Sequence, residues 1–252
     1  MDRRQWHLIT QFAVKDFKIR YTHSLLGYTW SLLNPLIFCV IYYLVFSVFI
    51  RFDVPNYPGY LLLGIVLWTF FAEGSTHGVG SMLARGGLIT NVAMPRHVVV
   101  YASVLSAALT FVINLAVLAV LLRVTGSPIT LAALVFPLQL INLTLITLGF
   151  SLMLSCLHVR FRDVGYLWGV VVQIGFWLTP IIYQQGMIPE EWRWLATYNP
   201  LARIIQDSRQ ILIYGVVPEW AAMAKTTLVA VVIMLTGLAT FRRLQARVVE
   251  YY

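Results

Sequence analysis

The sequence predicts an all-α integral membrane protein with six transmembrane helices. Of its 252 residues, 60% are hydrophobic and 11% are charged, whereas a soluble domain has about 45–50% and about 25%. A transmembrane helix needs about 20 mainly apolar residues. Six segments satisfy this requirement: 25–50, 60–83, 98–124, 131–159, 164–182 and 220–241. Transmembrane β-strands alternate in polarity, and no such alternation occurs in the sequence, which excludes a barrel.

The first element, residues 1–24, predicts an amphipathic helix on the membrane surface. Polar side chains recur at spacings of three and four, and apolar side chains recur in the same way on another face. The polar set is Arg4, His7, Gln11, Lys15 and Lys18, and the apolar set is Trp6, Ile9, Ala13 and Phe17. A basic amphipathic helix lies in the headgroup plane, so we expect the chain to bend into the bilayer near residues 24–27.

The distribution of basic residues predicts cytoplasmic termini. Six spans place both termini on one side of the membrane. If that side is cytoplasmic, 12 of the 18 basic residues and four of the 10 acidic residues lie there, in agreement with the positive-inside rule. The whole net charge of +8 then lies on the cytoplasmic side, so it requires no nucleic-acid partner.

Residues 184–219 predict a re-entrant helical hairpin on the outer side, between spans five and six. Helix starts occur at Glu190 and at Pro200, and the latter follows Asn199, a favourable N-cap. Residues 201–214 mix isoleucines with charged side chains and are too short to span the membrane. Two placements stay open at this point: a hairpin inside a protein-lined cavity, or one that lies flat on the outer leaflet.

These elements form a single domain that covers residues 1–252. Its parts are the interface helix 1–24, spans one to five in 25–183, the outer hairpin 184–219, and span six with a cytoplasmic tail in 220–252. The connections between the spans are too short to hold a soluble domain.

Short motifs in a fixed order resemble those of the permease subunits of type 2 ATP-binding cassette exporters for O-antigen, capsule or teichoic-acid polysaccharides. The motifs are KIRY at 18–21, LGYTWS at 26–31, NP at 34–35, MPR at 94–96, FRD at 161–163, TPIIY at 179–183, MIP at 187–189 and YNPL at 198–201. Each motif alone is unspecific, but their order covers the whole chain. The NP motif and VPNY at 54–57 make the O-antigen permeases the best match.

The resemblance implies a half-transporter in a bacterial inner membrane. Two copies of the chain form the path, two copies of a separate ATPase drive export, and the cargo is a polysaccharide on a polyprenyl diphosphate in lipopolysaccharide biosynthesis. ATP and Mg²⁺ then belong to the ATPase, and we expect no cofactor on this chain. The sequence agrees in lacking a phosphate-binding loop, because Lys225-Thr226 is preceded by Ala224 and Glu219 where that loop has glycines.

Two inner turns are candidate contacts with the ATPase. Gly86-Gly87 and Pro95 delimit a short helix, which the resemblance implies is the coupling helix. The candidate coupling residues are Arg85, Gly86, Gly87, Leu88, Ile89, Thr90, Asn91 and Arg96 in the first turn, and Arg160, Arg162 and Asp163 in the second. The alternatives are an ordinary connection and, for Asp163, a stabilising charge at the start of a helix.

Basic residues of the interface helix are candidates for the entrance of the cargo. Lys15, Lys18 and Arg20 lie where a lipid headgroup is expected, and the resemblance implies that they receive the diphosphate. General attraction of lysine and arginine to anionic lipids accounts for them equally well.

Aromatic residues within the spans are candidates for the translocation path, because sugars present C–H faces to aromatic rings and hydroxyl groups to polar atoms. The candidate residues are Tyr42, Tyr43, Trp68, Phe71, Phe176 and Trp177, together with the acid Glu73. Packing within the bundle is the alternative for each aromatic residue. Glu73 either faces the path or pairs two helices.

Two other functions are less well supported. A stand-alone secondary transporter predicts inverted repeats, and the sequence shows no convincing repeat. A membrane-embedded transferase needs clustered acids, histidines or metal ligands, whereas these residues are scattered over both predicted faces. We therefore expect neither a catalytic site nor a metal site.

Overall fold

The computed structural model describes residues 3–22, 27, 29–87, 94–128 and 130–245, and within these ranges the chain is helical without strands. The helices are α1 Arg3–Tyr21, α2 Thr29–Tyr42, α3 Tyr57–Ala84, α4 His97–Val124, α5 Phe136–Arg160, α6 Asp163–Leu178, α7 Arg193–Thr197, α8 Pro200–Leu212 and α9 Trp220–Leu244. A π-helix, Tyr43–Phe49, continues α2, and a 3-10 helix, Leu131–Val135, precedes α5.

Among the described residues, five helical segments are long and apolar enough to cross a membrane: Thr29–Phe49, Tyr57–Ala84, His97–Val124, Leu131–Arg160 and Trp220–Leu244. The predicted all-α membrane protein is confirmed. The fifth predicted span, residues 164–182, is helical only as far as Leu178, and α6 has 16 residues. A helix of that length measures about 24 Å, less than the hydrocarbon core of about 30 Å.

Pro180 explains why α6 is shorter than predicted. A residue that precedes proline is disfavoured in the helical region, and Thr179 has extended dihedral angles, φ −89° and ψ 131°. Thr179, Ile181 and Ile182 are buried in spite of their irregular backbone. The last part of this predicted span is therefore a non-helical segment that the protein surrounds.

Helix α3 is the centre of the bundle. Within its most apolar stretch 78% of the residues are buried, against 11% for Thr29–Phe49. It packs against α2, α4, α5, α6 and α8, while α9 packs mainly against α5. Gly149 and Gly237 allow the close α5–α9 crossing, because a Cβ atom on Gly237 would collide with the Gly149 backbone.

The predicted amphipathic helix is present as α1, but part of its apolar face covers protein instead of lipid. Ile9 is buried against Val98 and Ala102 near the start of α4, and Ala13 is also buried, whereas Trp6 is exposed. The apolar surface at the start of α4 competes with lipid for this face. The predicted bend at 24–27 falls largely outside the described residues, apart from Gly27, whose φ of +51° lies in the left-handed region.

The segment between α6 and α9 contains less helix than predicted at its beginning. Residues Gln185–Met187 and Glu190–Trp192 form 3-10 turns, and α7 has only five residues. The second predicted helix is present as α8, with the predicted N-cap: the Asn199 side chain accepts hydrogen bonds from the backbone N–H groups of Leu201 and Ala202. Helix α8 packs against α3, α5 and α9. Its depth in a membrane stays a prediction.

Candidate functional site

Ionic contacts attach the C-terminal half of α1 to α3. Nη1 of Arg20 lies 3.3 Å from Oε2 of Glu73, and Nη2 lies 3.1 Å from Nδ1 of His77. About one helical turn earlier on α1, Asp16 forms an ion pair with Arg85. Each helix supplies one acid and one base, so the two pairs fix both the position and the direction of α1.

Two cavities meet at Arg20 and form a polar crevice between α1, α2, α3 and α4. The first, of about 300 Å³, is lined by Trp30 and Asn34 of α2, Thr69 and Glu73 of α3, and Thr110 and Asn114 of α4, with Arg20 at its edge. The second, of about 470 Å³, lies towards Asp16, His77 and Arg85. The crevice thus combines charged, amide, hydroxyl and aromatic groups in an otherwise apolar bundle.

Helix α4 presents a stripe of buried polar side chains to this crevice. Ser103, Ser106, Thr110 and Asn114 follow each other at helical spacing and are at most 6% exposed. Ser106 Oγ, Thr110 Oγ1 and Asn114 Oδ1 have no hydrogen-bond partner among the described residues. Buried polar atoms are normally hydrogen-bonded, so these three atoms can bind a group that enters the crevice.

Four of the predicted path residues form one aromatic cluster. The ring of Phe176 lies 5.9 Å from that of Tyr42 and 6.0 Å from that of Trp68, and Trp68 lies 5.5 Å from Phe71. Trp68 and Phe71 are buried. The cluster joins α2, α3 and α6, so within one chain it packs these helices together.

The other three predicted path residues lie apart from that cluster or at its edge. Tyr43 packs against Tyr57 with 6.3 Å between ring centroids, and Trp177 extends from Phe176 with 54% of its surface exposed. Glu73 belongs to the polar crevice. The sequence did not predict that these three residues lie outside the cluster, because the rotation of each helix about its axis decides which side chains meet.

The predicted entrance residues are also divided. Lys15 and Lys18 are exposed on α1, whereas Arg20 turns towards Glu73 and His77. Only the two lysines therefore present their charges away from α3.

The described residues of the first predicted coupling turn are attached to neighbouring helices. Arg85 pairs with Asp16 and donates hydrogen bonds to Val99 and Ser103 of α4. Arg96 donates to the backbone carbonyl of Gln245, at the end of α9. Gly86 and Gly87 follow Arg85, the residue after α3. Leu88, Ile89, Thr90 and Asn91 lie outside the described residues.

The second predicted coupling turn is exposed. Arg160, Arg162 and Asp163 all lie on the surface between α5 and α6, and the Arg160 guanidinium stacks on the Phe161 ring at 4.9 Å. Asp163 occupies the first turn of α6, where a negative charge is favourable. Its position is compatible with both interpretations of this turn.

The sequence pattern did not reveal Arg209, which is completely buried in α8, outside the five helical segments that are long and apolar enough to cross a membrane. Its guanidinium donates hydrogen bonds to the carbonyl groups of Pro180, Ile181 and Tyr60, at 2.7, 2.7 and 3.2 Å. Burial lowers the pKa of Arg209 to about 10, so it stays charged at neutral pH. The available signal was the placement of Arg209 one turn after Ile205, on the apolar face of α8.

Arg209 holds the non-helical end of the α6 segment in place. The carbonyl groups of a segment without helical hydrogen bonds need other donors when they are buried. Gly64 of α3 makes room for this arginine, since a Cβ atom there would lie 2.8 Å from Nη2 of Arg209.

Comparison with known proteins identifies this architecture. The sequence profile of ABC-2 type transporters matches residues 7–213, most of the chain. The chain belongs to the ABC-2 type transporter family. This ABC-2 membrane protein therefore combines the confirmed all-α membrane fold with the family that its motifs resemble.

Relatives of this ABC-2 protein along nearly its whole length carry names of polysaccharide export components. The O-antigen export system permease protein RfbA of Klebsiella pneumoniae is 34% identical over 96% of this chain and 94% of its own. The protein of the same name from Myxococcus xanthus is 25% identical over 93% and 91%. The polysialic acid transport protein KpsM of Escherichia coli is 21% identical over 91% and 90%.

Proposed function

We propose that this chain is the transmembrane subunit of an ATP-driven exporter that moves lipid-linked O-antigen from the cytoplasmic to the outer side of a bacterial inner membrane. The observation that carries the proposal is the 34% identity with an O-antigen export permease over 96% of the chain. Two copies of the chain act with two ATPase subunits, which bind ATP and Mg²⁺. The termini and α1 face the cytoplasm, because the basic residues concentrate at that end.

In this proposal Lys15 and Lys18 receive the diphosphate of the lipid carrier. Both are exposed on α1, and a cationic group forms strong, charge-assisted hydrogen bonds with a phosphate. Arg20 lies at the inner edge of the same helix, paired with Glu73. At the proposed entrance, positive charge is therefore exposed at Lys15 and Lys18 and is neutralised by Glu73 at Arg20, next to the crevice.

The ion pair between Asp16 and Arg85 connects the proposed coupling segment to the entrance. Arg85 directly follows α3 and precedes Gly86-Gly87, where the coupling segment begins. A displacement of that segment by the ATPase would move Arg85 and, through Asp16, α1. Energy from ATP then acts on the helix that holds the lipid headgroup.

The aromatic residues contribute to the path in different ways. Trp177, on the exposed face of α6, and Tyr43, at the start of the π-helix that continues α2, are partly accessible and are proposed to contact cargo between the two copies. Tyr42, Trp68, Phe71 and Phe176 support that wall from behind through the aromatic cluster.

Complementation tests the proposal. The chain and a candidate ATPase partner are expressed in a strain that makes the cognate O-antigen but lacks its permease, and surface lipopolysaccharide is analysed by gel electrophoresis. We expect long-chain O-antigen only when both proteins are present. Surface capsule without O-antigen would reassign the cargo, and export without any ATPase would favour a secondary transporter.

A further inference from the structure

We propose that the cavity between α2, α3 and α4 binds one sugar residue of the cargo, the sugar adjacent to the lipid diphosphate. The inference rests on the proposed function and specifies a second part of its binding site. The cavity has a volume of about 300 Å³, at the lower end of the range for small-molecule sites, about 300–1,000 Å³.

Two buried polar side chains at the cavity have hydrogen-bonding atoms without a partner among the described residues. Thr110 and Asn114 are 4% and 3% exposed, line the cavity, and leave Oγ1 and Oδ1 without a partner among the described residues. Burying such atoms without a partner opposes folding. A ligand rich in hydroxyl groups supplies the missing donors, because every hydroxyl both donates and accepts.

The charges favour a neutral ligand over a phosphate. Arg20 is the cation at the cavity, and Glu73 compensates it at 3.3 Å. A phosphate placed there would face the Glu73 carboxylate, and like charges repel. A sugar can donate to Glu73 and accept from Arg20 without disturbing this balance.

Trp30 supplies the apolar surface that sugar recognition needs. It lines the cavity with 49% of its surface exposed, and a large flat ring can cover the C–H face of a pyranose. Asn34, one helical turn along α2, adds an amide to the same wall. The lining thus combines an aromatic ring with amide, hydroxyl and carboxylate groups.

The position relative to α1 connects this cavity to the lipid carrier. Lys15 and Lys18 precede Arg20 on one helix, and a rise of about 1.5 Å per residue places them within about 8 Å of it along the axis. The distance along α1 is thus short enough for a diphosphate that bridges from the lysines to bring its attached sugar to Arg20, which lines the cavity.

Binding of defined lipids to the full chain in nanodiscs tests the inference. The probes are polyprenyl diphosphate alone and polyprenyl diphosphate that carries glucose, galactose, mannose or N-acetylglucosamine, and dissociation constants are measured by native mass spectrometry. We expect at least one sugar-bearing lipid to bind about 5- to 30-fold more tightly than the bare lipid, the value of one or two added hydrogen bonds.

The variant T110V/N114L should lose this sugar-dependent gain and bind the bare lipid as before. Its melting temperature should equal or exceed that of the wild type, because the variant removes buried atoms that lack partners. The variant T144V/T236V, which removes two hydroxyl groups from α5 and α9, serves as the matched control. W30L should reduce the gain about 2- to 10-fold through lost ring contact, whereas W220L on the exposed start of α9 should not.

Several outcomes would overturn the inference. If all sugar-bearing lipids bind as the bare lipid does, the cavity is not a sugar site, although the proposed function stands. If the wild type binds neither kind of lipid, the proposed function fails as well. If phosphatidylglycerol competes with the sugar-bearing lipid and T110V/N114L abolishes its binding, the cavity holds a phospholipid headgroup.

Discussion

At the scale of single residues, the buried charge of Arg209 shows how the protein stabilises an irregular backbone. Three carbonyl groups from two separate segments accept its hydrogen bonds, and its guanidinium stacks on the Tyr60 ring at 3.3 Å. Hydrogen bonds from a charged donor are stronger than neutral ones. Arg209 therefore replaces the helical hydrogen bonds that the segment after Leu178 lacks.

Replacing Arg209 with methionine should destabilise the protein by about 2–4 kcal/mol, because buried carbonyl groups would lose their donors. Thermal unfolding in detergent measures the effect. Arg193→Met is the matched control, since Arg193 and its partner Glu190 are exposed and such a pair contributes about 0–1 kcal/mol. Equal melting temperatures for the two variants would contradict the assigned role of Arg209.

At the scale of helices, close packing depends on a few small residues and on paired charges. The α5–α9 crossing has glycine on both sides, and α1 is attached to α3 by reciprocal ion pairs. The α5–α9 crossing requires positions without side chains, whereas the α1–α3 contact depends on charged side chains. The two crossings should consequently respond to different substitutions.

Gly237→Ala should destabilise the α5–α9 crossing by about 1–3 kcal/mol, the usual cost of overpacking. The added Cβ atom meets the backbone of Gly149, which cannot move aside as a flexible side chain can. Gly80→Ala is the control, because no atom lies within 4 Å of a Cβ atom at that position. Chemical denaturation should show a lower free energy of unfolding for Gly237→Ala and an unchanged one for Gly80→Ala. A loss of stability only in Gly80→Ala would contradict the role of Gly237 in packing.

The pair of Asp16 and Arg85 should be necessary for transmission from the coupling segment to α1. Asp16→Asn should lower export at least about 5-fold while the complex with the ATPase still assembles, and D16R/R85D should recover part of the activity because the charges again attract. Export and co-purification are measured together. As a control, Glu190→Gln breaks the exposed ion pair with Arg193 and should leave export unchanged. If D16R/R85D recovers no activity, transmission through the Asp16–Arg85 pair is contradicted.

At the scale of the whole molecule, net positive charge is concentrated at one end of the helical bundle. Lys15 and Lys18 lie there on α1, and Arg85 and Arg96 are attached to helices at the same end. Arg123, in the last turn of α4, and Lys225, near the start of α9, are exposed at the other end of the bundle. This asymmetry supports both the proposed orientation and the proposed entrance for an anionic lipid.

Removing two positive charges with K15Q/K18Q should weaken binding of polyprenyl diphosphate to the full chain about 5- to 30-fold, because each lysine near an anionic surface contributes about 1 kcal/mol. Titration in neutral nanodiscs at low and high salt measures the loss, which should decrease at high salt. The matched variant R123Q/K225Q removes two exposed charges at the other end. Equal weakening in both variants would indicate general electrostatic attraction.

The sequence by itself determined the membrane fold, the helix α1 and the cap of α8. Each depends on residues close together in the chain: an uninterrupted apolar segment, a repeat of three and four, or Asn199 followed by Pro200. The early end of α6 was also encoded locally, because Pro180 disfavours helix at Thr179, but the apolar run up to Ile182 suggested a longer span.

Only the tertiary structure decided which polar groups meet. Arg20 reaches Glu73 across 53 residues, and Arg209 reaches Tyr60 across 149. Helical periodicity places residues on a face, but the rotation and neighbours of each helix follow from packing over the whole bundle. For that reason the aromatic path residues were predicted as one set, whereas in the structure four of them form a packed cluster and Tyr43 and Trp177 lie apart from it or at its edge. The polar crevice at Arg20 was not predicted.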